Sequence, residues 1–291
     1  MNKRIDIKLI VAAEPQRVLR ALTSAQELTR WFCEQAEVSL EEQRYDFWGR
    51  FTPEAPDQDH GCHSLLALEP NQRLTFSWWL CGVKTTVDVR LEVRDESTHV
   101  TLAHEGVPAP KPGEPHMADF WALSLENLRS WIERGVVGPR CDFSLAPHGD
   151  VGLSIDIAAP REAVYDVLIR PDELERYIAT RAAVELRTGG HYSFGWKEGG
   201  PIKILDLVPE ERLSYSWTYE NQPETVVTWT LEGSGGKTRL TLVHSGFAQD
   251  RKNGGYKAGW LKYMTRIKNL VEVGTRWQQP TLRVTDFSSN Q

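Results

Sequence analysis

The chain has 291 residues, 40% hydrophobic and 25% charged, with a net charge of −6 and a pI near 5.8. That length suits two domains, each large enough to bury its own core. The acidic balance argues against a nucleic-acid surface, and no apolar run approaches the length of a membrane span, so neither nucleic-acid binding nor membrane insertion is expected.

The opening MNKRIDIKLIVA alternates, with Ile5, Ile7, Leu9 and Val11 on one face. This pattern is a strand and not an export signal, and a cytoplasmic location is expected. The four cysteines, Cys33, Cys62, Cys81 and Cys141, contain no CxxC pair, which fits reduced thiols. Pro15 opens a short helix, PQRVLRALT, in whose first turn its missing N–H breaks no bond. Ser24 and Glu27 have capping-box spacing before Leu28, Trp31 and Phe32, which predicts a second short helix. Strands are expected over 45–51, 62–68, 73–79, 84–93 and 98–104, with a weaker one at 36–40. His60, Cys62 and His63 carry metal-ligand chemistry but match no zinc spacing, so they read as a solvated loop edge and no metal is expected. The segment FWALSLENLRSWIERG, 120–135, sets Trp121, Leu125, Leu128 and Ile132 at steps of four, three and four, giving one apolar helical stripe that ends at Gly135.

The same order then recurs. Leu153, Ile155 and Ile157 alternate, a helix starts at Pro160, and Pro171, Asp172 and Glu173 precede Leu174, Tyr177 and Ile178. Strands are expected over 191–196, 202–208, 212–218, 225–232 and 237–244, with a weaker one at 183–187. In the closing helix, GWLKYMTRIKNLVEVG, Trp260, Met264, Ile267 and Val271 form the stripe and Gly274 ends it. The reading divides the chain into a domain at 1–136, a linker at 137–150 with Gly138, Pro139, Pro147 and Gly149, a second domain at 151–275, and a tail at 276–291. Trp277, Leu282, Val284 and Phe287 would let that tail lie on the second domain; otherwise it frays. The pairs Gly189–Gly190 and Gly254–Gly255 read as turns that open no helix, and no cofactor fingerprint is found.

These motifs in this order carry a resemblance. PQRVLRALT, ELTRWF, EPNQRLTFSWW, TTVDVRLEV, THVTLAHEG and FWALSLENLRSWIE, then LRTGGHYSF, VPEERLSYSW, GGKTRLTLVHSGF and GWLKYMTRIKNLVE, resemble the family related to the C-terminal domain of the activator of Hsp90 ATPase, within the START-like superfamily. The resemblance implies an α+β fold: two tandem helix-grip domains, each a curved antiparallel sheet wrapped around a long C-terminal helix. The second copy is nearer the pattern. The first has Glu42 and Gln43 where the second has Gly189 and Gly190, and Phe120 where the second has Gly259. Relatives hold apolar molecules between sheet and helix, which implies an apolar or amphipathic small-molecule ligand. Nothing in the chain resembles the co-chaperone's N-terminal, chaperone-contacting domain, yet a surface module touching a chaperone or a second copy is an alternative. A cyclase or hydrolase using cavity His and Tyr is another.

The candidate ligand-binding residues are Tyr192, Phe194, Trp196, Tyr215, Trp217, Trp229, His244, Trp260 and Met264 in the second copy, and Phe76, Trp78, His104 and Trp121 in the first. Tyr45 and Phe47 share the inward phase. Rings of this kind either present polar tips to a ligand or fill the core themselves. His104 and His244 each end the last strand facing inward, where an imidazole can bond a ligand, act as a base, or pin the strand end to a backbone carbonyl. Ser245 lacks a nucleophile elbow and an orienting acid, and no catalytic residue is assigned. Asp206 matters only if its strand turns it inward.

Overall fold

A computed structural model describes residues 2–145, 147–220 and 222–287. The chain divides into two compact units, Met1–Ala146 with Pro280–Gln291, and Pro147–Gln279. The first runs β1 (Lys3–Val11), α1 (Pro15–Thr23), α2 (Ala25–Trp31), β2 (Gln35–Ser39), β3 (Arg44–Trp48), β4 (Leu65–Glu69), β5 (Arg73–Leu80), β6 (Val83–Arg94), β7 (Ser97–Val107) and α3 (Met117–Arg134). The second repeats the order: β8 (Val151–Ile157), α4 (Arg161–Ile169), α5 (Pro171–Tyr177), β9 (Ala183–Val184), β10 (Tyr192–Ser193), β11 (Gly200–Val208), β12 (Arg212–Thr218), β13 (Thr225–Glu232), β14 (Thr238–Ser245) and α6 (Gly254–Val273). A 3-10 turn, Gly274–Arg276, and a last strand, β15 (Thr281–Asp286), follow.

Each unit is an α+β helix grip. The antiparallel sheets have the orders β15-β1-β7-β6-β5-β4 and β11-β12-β13-β14-β8, and β2–β3 and β9–β10 form separate two-stranded ladders. Period-two alternation puts Val87, Val89 and Leu91 inside while Arg90 and Glu92 face water. The registers of the two sheets match residue for residue across one row. Leu65, Phe76, Val87, His104 and Ile5 lie side by side in the first sheet. Ile204, Tyr215, Val227, His244 and Val151 do so in the second. The stripe residues Trp121, Leu125 and Leu128 of α3, and Trp260, Met264 and Ile267 of α6, are buried in the matching cores.

Several expectations need correction. Ser24 makes no side-chain cap. The Glu27 carboxylate instead accepts from Trp131 Nε1 at 2.6 Å and pairs with Arg17 at 3.1 Å, so a tertiary bond displaces the local capping box. Gly254 and Gly255 are not a turn but the first residues of α6, behind Asn253 as N-cap. The strand expected over 191–196 keeps only Tyr192–Ser193, because the Phe194 carbonyl accepts from Thr180 and Arg181 instead of a ladder partner. Gly135 closes α3 in the left-handed conformation. Gly274 has φ 72° but ψ −138°, so it turns the chain out of α6 differently.

The segment read as a linker is tied down. Asn127 donates to the Pro139 carbonyl and accepts from Gly138 N–H, Arg140 donates to the Cys33 carbonyl, and Phe143 packs on the first core. The tail does not lie wholly on the second unit. Trp277 joins the second core, but Thr281–Asp286 pairs antiparallel with β1, from Lys3 opposite Asp286 to Lys8 opposite Thr281. Exposed β1 ladder groups are a standing demand for a partner strand, and the tail meets it.

Deleting residues 280–291 is therefore expected to speed hydrogen exchange at the β1 amides that face β15, and to remove about 1 kcal/mol of Leu282 packing. Exchange at β8 should not change. Unaltered exchange along β1 would contradict the pairing.

Candidate functional site

The repeated feature inside each grip is a closed polar relay. Val87 lies opposite His104, and Thr85, two residues before Val87, shares its face, so the Thr85 hydroxyl sits diagonal to the imidazole. Thr85 Oγ1 is 2.8 Å from His104 Nε2, and Trp121 Nε1, at the head of the α3 stripe, donates to His104 Nδ1 at 2.9 Å. Thr85 Oγ1 also donates to the Trp78 carbonyl at 2.7 Å. In the second unit Thr225 Oγ1 lies 2.8 Å from His244 Nε2, Trp260 Nε1 donates to His244 Nδ1 at 3.0 Å, and Thr225 reaches the Trp217 carbonyl at 3.4 Å.

One proton arrangement fits both relays. An indole N–H only donates, so Nδ1 must be the bare acceptor and the imidazole hydrogen must sit on Nε2. That hydrogen goes to the threonine oxygen, whose own hydrogen goes to the tryptophan carbonyl. Both histidines are wholly buried, and burial pushes each pKa down to about 3, with Arg251 adding to the shift at His244. The expected pin to a backbone carbonyl therefore exists, but through a threonine hydroxyl. Neither imidazole keeps a free lone pair with which to act as a base.

Two residues beyond each histidine, Gly106 and Gly246 take φ 79° and 95°. A Cβ there would come within 3.9 Å of Thr85 Cα and 3.5 Å of Thr225 Cα, so the chain leaves the sheet against the relay threonine at a conformation glycine favours.

The predicted rings converge as a packed layer. In the second unit Tyr192 stacks on Tyr215 at 4.7 Å, Phe194 meets Trp196 at 5.3 Å, and Trp217 meets Trp260 at 5.2 Å. Trp229 Nε1 donates to the Tyr215 hydroxyl at 3.0 Å, and the Tyr192 hydroxyl donates to the Leu168 carbonyl at 2.6 Å. Burial raises the pKa of both phenols, which stay protonated. Met264 lies in the same core, and Trp196 is half-buried with its Nε1 on the Ile178 carbonyl. In the first unit Trp78 stacks on His104 at 5.7 Å and meets Trp121 edge-on at the same distance. Phe76 packs on Tyr45 at 4.7 Å. The candidate rings are thus buried against one another.

Other candidates part company. His60 is exposed and bonded to Asp57, the Cys62 thiol donates to the Gln58 carbonyl, and His63 turns inward onto Phe47 with ring centroids 4.1 Å apart. Asp206 faces solvent and pairs with Arg212 at 2.5 Å. Ser245 Oγ reaches only the Val226 carbonyl, at 3.5 Å. The sequence reading missed Thr85 and Thr225, and it set His63 on a solvated loop edge where the structure buries it. The first two carry a signal, since each lies 19 residues before its histidine; His63 has no counterpart in the repeat.

Thr225→Val is expected to strand the buried His244 Nε2–H and cost about 1–3 kcal/mol of unfolding free energy. The relays also fix an acid limb. Unfolded histidine takes a proton near pH 6.5 while the folded rings resist it to about pH 3, so the unfolded state binds more protons in that window. Their stabilisation is complete above about pH 6.5 and is lost as pH falls, at about 1.4 kcal/mol per pH unit for each ring. Denaturant titrations of His104→Gln and His244→Gln should each show lower stability at pH 7.5 and a shallower acid slope; a wild-type slope in both would contradict the neutral relay.

The family model described as Activator of Hsp90 ATPase homolog 1-like protein matches residues 12–133 and again 158–272. No curated protein matches. Among solved structures, a Mesorhizobium loti protein is 26% identical over 43% of this chain and 98% of its own, with a TM-score of 0.38. The Aha1 dimer from Colwellia psychrerythraea is 21% identical over 43% and 98%, TM-score 0.39. CalU16 from Micromonospora echinospora is 22% identical over 42% and 73%, TM-score 0.37. These structural likenesses carry no argument about activity. The family match is different: it falls twice, once on each helix-grip unit, and spans most of the chain, which therefore belongs to the activator of Hsp90 ATPase homolog 1-like family as a tandem member.

Proposed function

We propose that the chain is a binding protein whose helix grips accept an apolar or amphipathic small molecule between the sheet and the long helix. The observation that supports this is the aromatic layer beneath α3 and α6, with few polar tips among many rings, the usual make-up of a small-molecule site. The closed His104 and His244 relays speak against a cyclase or hydrolase built on them. Because the rings pack on one another, a ligand that lies among them must displace ring–ring contacts, and its apparent affinity is reduced by the fraction of molecules in an opened state. Alanine in place of Trp217 or Tyr215 is a poor probe here, since such truncation of a packed core costs about 3–5 kcal/mol.

The intact mass of freshly purified chain under native and then denaturing conditions tests the reading. A mass excess lost on denaturation is the expected result. A bare-chain mass, with no change in tryptophan fluorescence on adding octanoate or 1-octanol, would contradict it.

The tight packing favours a second reading, in which the chain works by its surface on an Hsp90-type chaperone, as the family's description suggests. Added to the purified chaperone, the chain would then raise its ATP hydrolysis rate. An unchanged rate at saturating concentration removes that reading.

A further inference from the structure

The two interiors differ in one polar respect. Among the described residues of the first unit, neither ring nitrogen of His63 makes a well-formed hydrogen bond, although the Phe47 and Cys62 carbonyls lie near enough to raise its pKa, and Trp78 Nε1 makes none. Both side chains are deeply buried, His63 at 4% exposure and Trp78 at 0%. Their rings are neighbours, with centroids 5.9 Å apart, and both pack on Phe47. Nothing about His63 is loose: its N–H donates to the Asp46 carboxylate at 3.0 Å, and its carbonyl accepts from Tyr45 N–H at 3.1 Å. The backbone bonds that fasten this segment along β3 drive the imidazole inward. His104, which stacks on Trp78, cannot serve as partner because both its nitrogens are committed to the relay.

The second unit lacks this pair. Pro201 stands opposite Trp217. Trp217 Nε1 also lacks a well-formed bond, but the Tyr256 hydroxyl lies near enough for the indole to lower its pKa. Each unmet buried polar group costs about 1–3 kcal/mol, so an imidazole and an indole N–H side by side without a well-formed bond are an expensive arrangement.

We infer that His63 and Trp78 form a polar subsite in the first unit that takes the carboxyl group of an amphipathic acid, its apolar part lying among Phe47, Phe76 and Phe120. The inference rests on the small-molecule reading above. The chemistry matches the atoms: one carboxyl oxygen accepts the Trp78 N–H, and the other shares a proton with a bare His63 nitrogen. That contact is either a neutral acid on neutral imidazole or a carboxylate on imidazolium, the same set of atoms and protons in both cases. Burial holds the unliganded imidazole neutral, with its pKa down to about 4, so a carboxylate that binds there from neutral solution takes up the shared proton from solvent. A primary alcohol of equal chain length offers one oxygen where the acid offers two.

The test compares octanoate with 1-octanol by calorimetric titration of the full chain, using wild type, His63→Leu, His63→Gln and Trp78→Phe, with Ser245→Ala as a second-unit control. Wild type should prefer octanoate about ten- to hundredfold, the worth of a charge-assisted hydrogen bond. His63→Leu and Trp78→Phe should each erase most of that preference, His63→Gln should keep part of it, and Ser245→Ala should not alter it. Thermal unfolding of each variant separates loss of binding from loss of fold. If both probes bind wild type equally, or if octanoate binds folded His63→Leu as well as wild type, the subsite is wrong although the grip still binds ligands. If neither probe binds wild type, both the subsite and the small-molecule reading fall.

Discussion

The rest of each unit hangs on three polar groups meeting inside an apolar core: an indole N–H from the long helix, an imidazole from the last strand, and a threonine hydroxyl from the strand beside it. A buried polar group without a partner is costly, and here only one arrangement of hydrogens satisfies all three. The bonds from Trp121 to His104 to Thr85, and from Trp260 to His244 to Thr225, therefore fix helix rotation and sheet register together. Apolar contact alone would hold the helix on the sheet but tolerate a shift along it. The same closure takes the histidines out of chemistry, because a ring with both nitrogens spoken for has no lone pair to offer.

Further pins recur at matching places. The Tyr45 and Tyr192 hydroxyls donate to the Leu22 and Leu168 carbonyls, binding each short helix to the grip. Thr98 and Thr238 donate to the Ala13 and Ala159 carbonyls, and Glu133 and Glu272 accept from the Ala12 and Ala158 amides. These bonds lie at the ends of elements, where backbone groups lack ladder or helix partners. Between the pins the two interiors have diverged: Phe76 and Val89 stand where the second unit has Tyr215 hydrogen-bonded to Trp229, and His63 lies beside Trp78 while Pro201 stands opposite Trp217.

Much of this was legible in the residues. The steps of four, three and four from Trp121 and from Trp260 gave both stripes, and period-two alternation gave the inward face of nearly every long strand. The failures share a cause, which is that a local signal lost to a tertiary partner. Ser24 and Glu27 have capping-box spacing, yet Glu27 is drawn to Trp131 and Arg17. Gly254 and Gly255 look like a turn, but Asn253 fixes the helix start by donating to the Gly149 carbonyl. Thr281–Asp286 carries too little apolar alternation to announce a strand, and only the free edge of β1 makes it one. His63 was read with His60 and Cys62 because the three adjoin in sequence, whereas adjacent residues of extended chain point opposite ways.

The most direct measurement is the nitrogen-15 shifts of the His104 and His244 rings in two-bond proton–nitrogen correlation spectra, recorded at pH 7 and again near pH 5. Two neutral imidazoles at both pH values, each with its hydrogen on Nε2 and a bare Nδ1, are the predicted result. A ring carrying its hydrogen on Nδ1, or one that gains a proton between those pH values, would contradict the relay and with it the account of how helix and sheet are locked together.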